Sequence, residues 1–217
     1  MKPVTVRPVA CAALLACGLL GCINEPPPIA LPGADPFTRV VTVIDADGHS
    51  RIESAGPPPI VFHPRHAEQV LTSIWNVSST PATYGAPGDP ERFRLHPEPR
   101  GVRIIRNKLP PDTLMYVGED GTTRVPRPDE SMHRTRTIDF IQVLTGELWL
   151  ILESGEEVRL AGGDCVVQRG TVHAWRNRSD APVTFVAVLI DADEGSLPAT
   201  PRGAEPVRDE AGESAAH

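Results

Sequence analysis

The chain has 217 residues, of which 40% are apolar and only 5% aromatic, enough for one aliphatic core with appendages rather than two full domains. Its formal charge of -7 excludes the broad basic surface that a nucleic-acid partner requires. The 24 prolines and 18 glycines disfavour long helices and favour short strands joined by turns.

The chain opens with two cations, Lys2 and Arg7, and then runs apolar and small from Val9 to Leu20. That run is too short to span a bilayer and has the proportions of a signal peptide. It ends in Leu19-Leu20-Gly21-Cys22, which resembles the lipobox of bacterial lipoproteins. The resemblance implies a signal over residues 1–21, cleavage before Cys22, and acylation of the Cys22 thiol and the new amino terminus. Ile23 in the next position resembles an outer-membrane sorting address. Several acyl chains make a stable anchor, so the expected location is the cell envelope, lipid-anchored at the outer membrane and facing the periplasm. Residues 22–36 are proline-rich and aperiodic, the pattern of an extended tether. Cys165 is then the one cysteine left in the body of the chain. It sits in an apolar strand, where a small buried hydrophobe is the expected state.

Residues 37–192 read as a single β domain. Thr38 to Ile44 is β-branched and closes on the turn Asp45-Ala-Asp47-Gly48. Short strands are expected at Ile60 to Phe62 and Leu71 to Val77, with a helical turn at His66 to Val70 between them. Val102 to Ile105 is a strand that Pro110-Pro111 must end or bend. Phe140 to Glu153 alternates on either side of Gly146, and Ser154-Gly155 makes a hairpin turn into Glu157 to Leu160. Cys165 to Gln168, His173 to Asn177 and the apolar run Val183 to Ile190 complete the series. Many short strands at this spacing indicate a sandwich or small barrel. Residues 193–217 hold almost no large apolar side chain and read as a disordered tail.

The chemistry concentrates between His133 and Asn177. His133, Asp139 and His173 offer two imidazoles and one carboxylate, a donor set accepted by borderline divalent metals such as Fe, Mn, Zn or Ni. His133 and Asp139 share parity, but six residues of extended chain span about 20 Å. Donor atoms around one ion lie only about 3 Å apart, given bonds near 2.0–2.2 Å. The chain must therefore reverse within Arg134 to Ile138 if both are ligands. Gly162-Gly163-Asp164 and Arg169-Gly170 supply the turns that return His173 to the same place. Thr135 is a poor ligand but can hold a bound water. Trp175 shares the parity of His173 and has two open readings, a cavity wall that stacks on substrate or a core filler. Arg134, Arg136, Arg176 and Arg178 have the opposite parity and are expected in solvent. His49, His63, His66 and His96 are read as surface groups.

This segment resembles the cupin superfamily. His133 occupies the first histidine of the first cupin motif, Asp139 its glutamate and Gly146 its closing glycine. Gly162, Gly170, His173 and Asn177 match the second motif at full spacing. Arg127, Thr135 and Gln168 replace the opening glycine, second histidine and proline. The resemblance implies an all-β double-stranded β-helix, or jelly-roll, with its site in the barrel mouth. It implies a divalent metal held by His133, Asp139 and His173, with Thr135 and Trp175 facing a small-molecule substrate. A homodimer formed through strand edges is a further expectation. Three functions remain open: a metal-dependent oxygenase, decarboxylase or isomerase; a non-catalytic periplasmic module that binds a small molecule; or a structural role in a lipoprotein assembly, with the pocket vestigial.

Overall fold

A computed structural model describes residues 37–64, 69–127 and 129–193. The signal over 1–21, the tether over 22–36 with Cys22, the start of the helical turn at His66 and the tail beyond Asp193 lie outside the described residues.

The strands run in chain order as β1 (Arg39–Ile44), β2 (Ser50–Gly56), β3 (Val61–Phe62), β4 (Val70–Val77), β5 (Val102–Leu109), β6 (Thr137–Thr145), β7 (Glu147–Leu152), β8 (Glu157–Ala161), β9 (Cys165–Arg169), β10 (His173–Arg176) and β11 (Val183–Asp191). A single helical turn, α1 (Asp112–Met115), follows β5. Six strands form one sheet in the order β3-β4-β5-β11-β6-β9, and three form a second in the order β10-β7-β8. The two inner faces share one aliphatic core. Leu148, Leu150 and Leu160 come from the smaller sheet, and Ile105, Ile141, Val143, Phe185 and Leu189 from the larger. This is the double-stranded β-helix barrel that the strand pattern and motifs anticipate.

The alternation of β6 shows how sequence makes the wall. Thr137, Asp139, Ile141 and Val143 point inward and are buried, while Ile138, Phe140 and Leu144 face out, the period of two that any pleated strand imposes. Gly146 then joins β6 to β7 at φ +83, and a Cβ there would lie 2.9 Å from the Val183 Cα. Both the left-handed backbone and the close approach demand glycine.

Three features depart from the sequence reading. β5 runs on to Leu109 because β4 and β11 pair with it along its whole length, and Pro110 stops it. β2 (SRIESAG) carries little β-branched signal; it forms by pairing with β1 across the Asp45 to Gly48 turn. Cys165 is exposed rather than buried, because Val166 and Gln168 take the inward positions of β9.

The long connection from β4 to β5 is part of the core. Its Phe93 is buried and stacks on Phe62 with ring centroids 5.0 Å apart. Three residues later His96 lines a surface cavity of about 580 Å³ with Pro97, Thr137 and Asp191.

Candidate functional site

His133 and His173 are held together by backbone before any ligand is considered. Each amide N–H donates to the other residue's carbonyl at 2.9 Å, an isolated antiparallel bridge. The ring centroids are 4.4 Å apart. After His133 the chain bends at Arg136 and enters β6 at Thr137, so it changes sheets within the interval where a reversal is required.

Both imidazoles have their Nδ1 engaged. That of His133 lies 2.9 Å from the Ser131 carbonyl, and that of His173 lies 2.9 Å from the Thr171 carbonyl. Donation from Nδ1–H to the Ser131 carbonyl leaves His133 Nε2 as a bare acceptor, the tautomer a metal ligand needs, and His173 is set the same way in the tautomer whose Nδ1–H donates to Thr171. The Gln168 side-chain amide also touches His173 Nδ1, at 2.8 Å. Burial lowers the pKa of both rings; His173, with His133 beside it, falls to about 4. Both are therefore neutral at pH 7.

Asp139 lies on the inner face of β6 and is buried. Its Oδ2 accepts from Thr135 Oγ1 at 3.4 Å, and Thr137 Oγ1 donates to Thr135 Oγ1 at 2.6 Å. Its Oδ1 is buried with no hydrogen-bond partner among the described residues. Burial raises the pKa of this carboxyl, against the hydrogen bonds of Thr137 and Thr135. A buried carboxylate oxygen left bare is costly, and a cation is one partner that satisfies it.

Among the described residues, the one group of three His, Cys, Asp or Glu side chains with all donor atoms within 4.8 Å is Asp45, Asp47 and His49. His133, Asp139 and His173 do not form such a group, although the two histidine rings lie side by side. The Asp45 cluster sits on the exposed β1–β2 turn. There Asp45 Oδ1 already accepts from the amides of Asp47 and His49, and Oδ2 accepts from Arg51. Its carboxylate closes the turn.

The other anticipated residues divide. Thr135 is buried beside Asp139. Trp175 is half-buried between the site and the core, 5.3 Å from the His173 ring and 5.9 Å from Phe185. Asn177 is a structural corner, its Nδ2 donating to the Leu109 and Ala181 carbonyls. Arg176 is not in solvent. It is buried and donates to Tyr116 Oη at 2.9 Å and to the carbonyls of Trp175 and Glu130, pinning the approach to His133. Arg178 is exposed and pairs with Glu157 at 2.8 Å. His96 is not a surface group either: it is half-buried in the wall of that cavity, close enough for its charge to bear on both His133 and Asp139. No motif flags it, since it lies in an aperiodic stretch.

Fold and site together define an all-β container with paired histidines near its mouth. The Cupin domain family model matches residues 122–189. The chain is 38% identical over 170 residues to the cupin-domain-containing oxidoreductase srdD of Neurospora crassa, covering 75% of this chain and 79% of that protein. It is 31% identical over 141 residues to the oryzines biosynthesis cluster protein J of Aspergillus oryzae, covering 65% and 74%. The chain belongs to the cupin superfamily. Its match to the phomopsin biosynthesis cluster protein D of Diaporthe leptostromiformis is 56% identical but covers only 25% of this chain and 29% of that relative. Among solved structures, a putative ethanolamine utilization protein of Salmonella typhimurium aligns with a TM-score of 0.38 at 14% identity, over 74% of this chain and 100% of that one.

Proposed function

We propose that this chain is a metal-dependent cupin enzyme acting on a small organic molecule inside the barrel. His133 and His173 would hold a divalent ion through Nε2, with Asp139 as the acidic donor. The observation that carries this reading is the reciprocal backbone bridge between the two histidines, with both Nδ1 atoms turned to carbonyls. The bare Oδ1 of Asp139 supports it. When bound, such an ion supplies a Lewis acid or a redox centre with open positions. The protein's own part is to keep both imidazoles neutral and oriented and to exclude water. The relatives named oxidoreductase favour a redox reaction over decarboxylation or isomerisation. Anchoring through a lipid on Cys22 in the cell envelope and pairing into a homodimer belong to the same proposal.

One observation favours a second reading, a non-catalytic small-molecule carrier: Asp139 does not close with the two histidines into one tight donor group. Elemental analysis of the full chain purified without chelator decides between them. About one divalent metal per chain is expected, falling below a tenth in a His133→Ala/His173→Ala variant and unchanged in Asp45→Ala/Asp47→Ala. Metal retained by the double histidine variant overturns the proposed site.

A further inference from the structure

The outer faces of the two sheets differ in kind. On the three-stranded sheet, ion pairs cover the outside: Arg159 with Glu147 at 2.6 Å and Arg178 with Glu157 at 2.8 Å. On the six-stranded sheet, Ile104 pairs with Val188, Val188 with Phe140, and Phe140 with Val167. Paired residues point to the same side, so these four make one apolar row across β5, β11, β6 and β9, turned away from the core. The neighbouring row adds Ile190 and Ile138 and ends at Arg169. Ile138, Phe140, Ile190 and Val167 are 40–60% exposed. No outward position of these four strands is Asp or Glu, and three are cations: Arg106, Lys108 and Arg169. A chain of net charge -7 thus presents one face that is apolar at its centre and positive at its margins.

The described chain begins at this face. Phe37 is its first residue, and its ring lies 4.6 Å from the Arg106 guanidinium. Residues 22–36 separate it from Cys22, a length of chain that spans at most about 50 Å. A lipid on Cys22 therefore keeps this face within reach of the leaflet that holds the lipid. The size of the face bears on what can cover it. It measures about 14 Å across the four strands and about 20 Å along them, near 300 Å². Two copies that associate unaided bury about 800 Å² each. A contact of this smaller size is occupied when a tether supplies a high local concentration. Apolar side chains flanked by Lys and Arg suit an anionic phospholipid surface, where acyl chains and phosphates lie side by side.

We propose that the outward face of β5, β11, β6 and β9 seats on the surface of an anionic phospholipid leaflet. Phe140, Val167 and Ile138 enter the boundary between headgroups and acyl chains. Arg106 and Lys108 at one margin and Arg169 at the other meet phosphates. The proposal rests on the lipid anchor at Cys22 for its local concentration, but the contact itself is made by the sheet. Ile190 belongs both to this face and to the wall of the 580 Å³ cavity, so seating the face places that cavity beside the headgroups. The barrel is then oriented on the membrane rather than free to tumble at the end of its tether.

Cys165 is exposed on β9 at the edge of this face and serves as the reporter position. In the Cys11→Ser/Cys17→Ser/Cys22→Ser full chain it is the one thiol. A fluorophore on Cys165 is read against vesicles of phosphatidylglycerol and phosphatidylcholine that carry headgroup nitroxides. The comparison places the fluorophore at Arg159→Cys, with Cys165→Ser, on the outside of the three-stranded sheet. Quenching is expected to be about three-fold or more stronger at position 165 than at 159. Val167→Asp and, separately, Arg169→Glu are expected to cut that difference by at least about half, with unchanged circular dichroism. Equal quenching at the two positions overturns the proposal. So does a fluorophore at Cys165 already shielded before lipid is added: a doubled mass in sedimentation then gives the face to a second copy, and an unchanged mass gives it to the chain's own residues 24–36. Acylation is read separately, from the mass of the amino-terminal peptide of the exported wild-type chain. A bare Cys22 thiol there removes the anchor and leaves the quenching result standing.

Discussion

The two walls of the barrel solve the same burial problem with different chemistry. The three-stranded wall is apolar along its inner face, with Leu148, Leu150 and Leu160 buried, and carries one polar group, His173, at its end. The six-stranded wall buries a whole polar belt: Asn76, Arg103, Asp139 and Gln168 lie in one register row. Burial of polar groups costs free energy unless each finds a partner. The first wall therefore supplies stability, while the second buries polar groups most of which find protein partners, Gln168 on Thr171 and His173 and Arg103 on Glu98 and the His96 carbonyl.

The contrast is broken most forcefully at Leu148, which has no solvent exposure. Leu148→Ala should remove about 4 kcal/mol of stability, transfer and cavity costs combined, read as a fall in the midpoint of chemical denaturation. A loss below about 1 kcal/mol would mean the smaller wall is not the load it is taken to be.

The acid limb of the stability curve comes next. His173 is neutral in the fold with a pKa of about 4, while the unfolded chain takes up that proton near 6.5. Its contribution is complete above pH 6.5 and is lost as pH falls toward 4, at most about 3 kcal/mol. Asp139 acts in the opposite sense: its raised pKa contributes stability at low pH that is lost as pH rises through the folded value. In metal-free protein the Tm should therefore fall as pH drops from 6.5 to 4.5, and fall less steeply in His173→Gln. Identical slopes in the two proteins would show that His173 is not buried as a neutral ring.

The smallest effect is expected at Ser73. Its hydroxyl is buried and bare, so Ser73→Ala should leave stability within about 0.5 kcal/mol or raise it slightly. A loss of 2 kcal/mol or more would show that the hydroxyl has a structural partner and would sharpen the division between the walls in the other direction.

What the sequence discloses follows the same division. The histidines, Asp139 and their glycine turns are legible because they are local: Gly146, Gly163 and Gly170 all adopt positive φ, which few residues tolerate, and they sit at fixed offsets from the histidines. Parity correctly places Ile141 and Val143 inside. Parity fails at Arg176 because the segment that carries Tyr116 and Glu130 covers the outer face of β10, where Ala174 is buried too. It fails at Cys165 because Cys-Val-Val is apolar on both faces, so hydrophobicity alone does not choose one. Ser73, Asn76 and Arg103 escape notice for another reason: they belong to two strands whose chain separation is bridged by an aperiodic loop, and a bulge between Ser73 and Trp75 shifts their phase. Their adjacent rows, Asn76 beside Arg103 and Ser73 beside Ile105, exist only once β4 and β5 are paired. His96 and Phe93 ride on that same loop and share its silence.

Phe93 and His96 are three residues apart on one loop, the first wedged against Phe62 and the second at the rim of the cavity. Swinging the rim outward would drag an aromatic ring out of the interior, at a penalty of about 2 kcal/mol. The rim is thus tied to the core, and any outward swing of His96 is resisted by the Phe62–Phe93 stack.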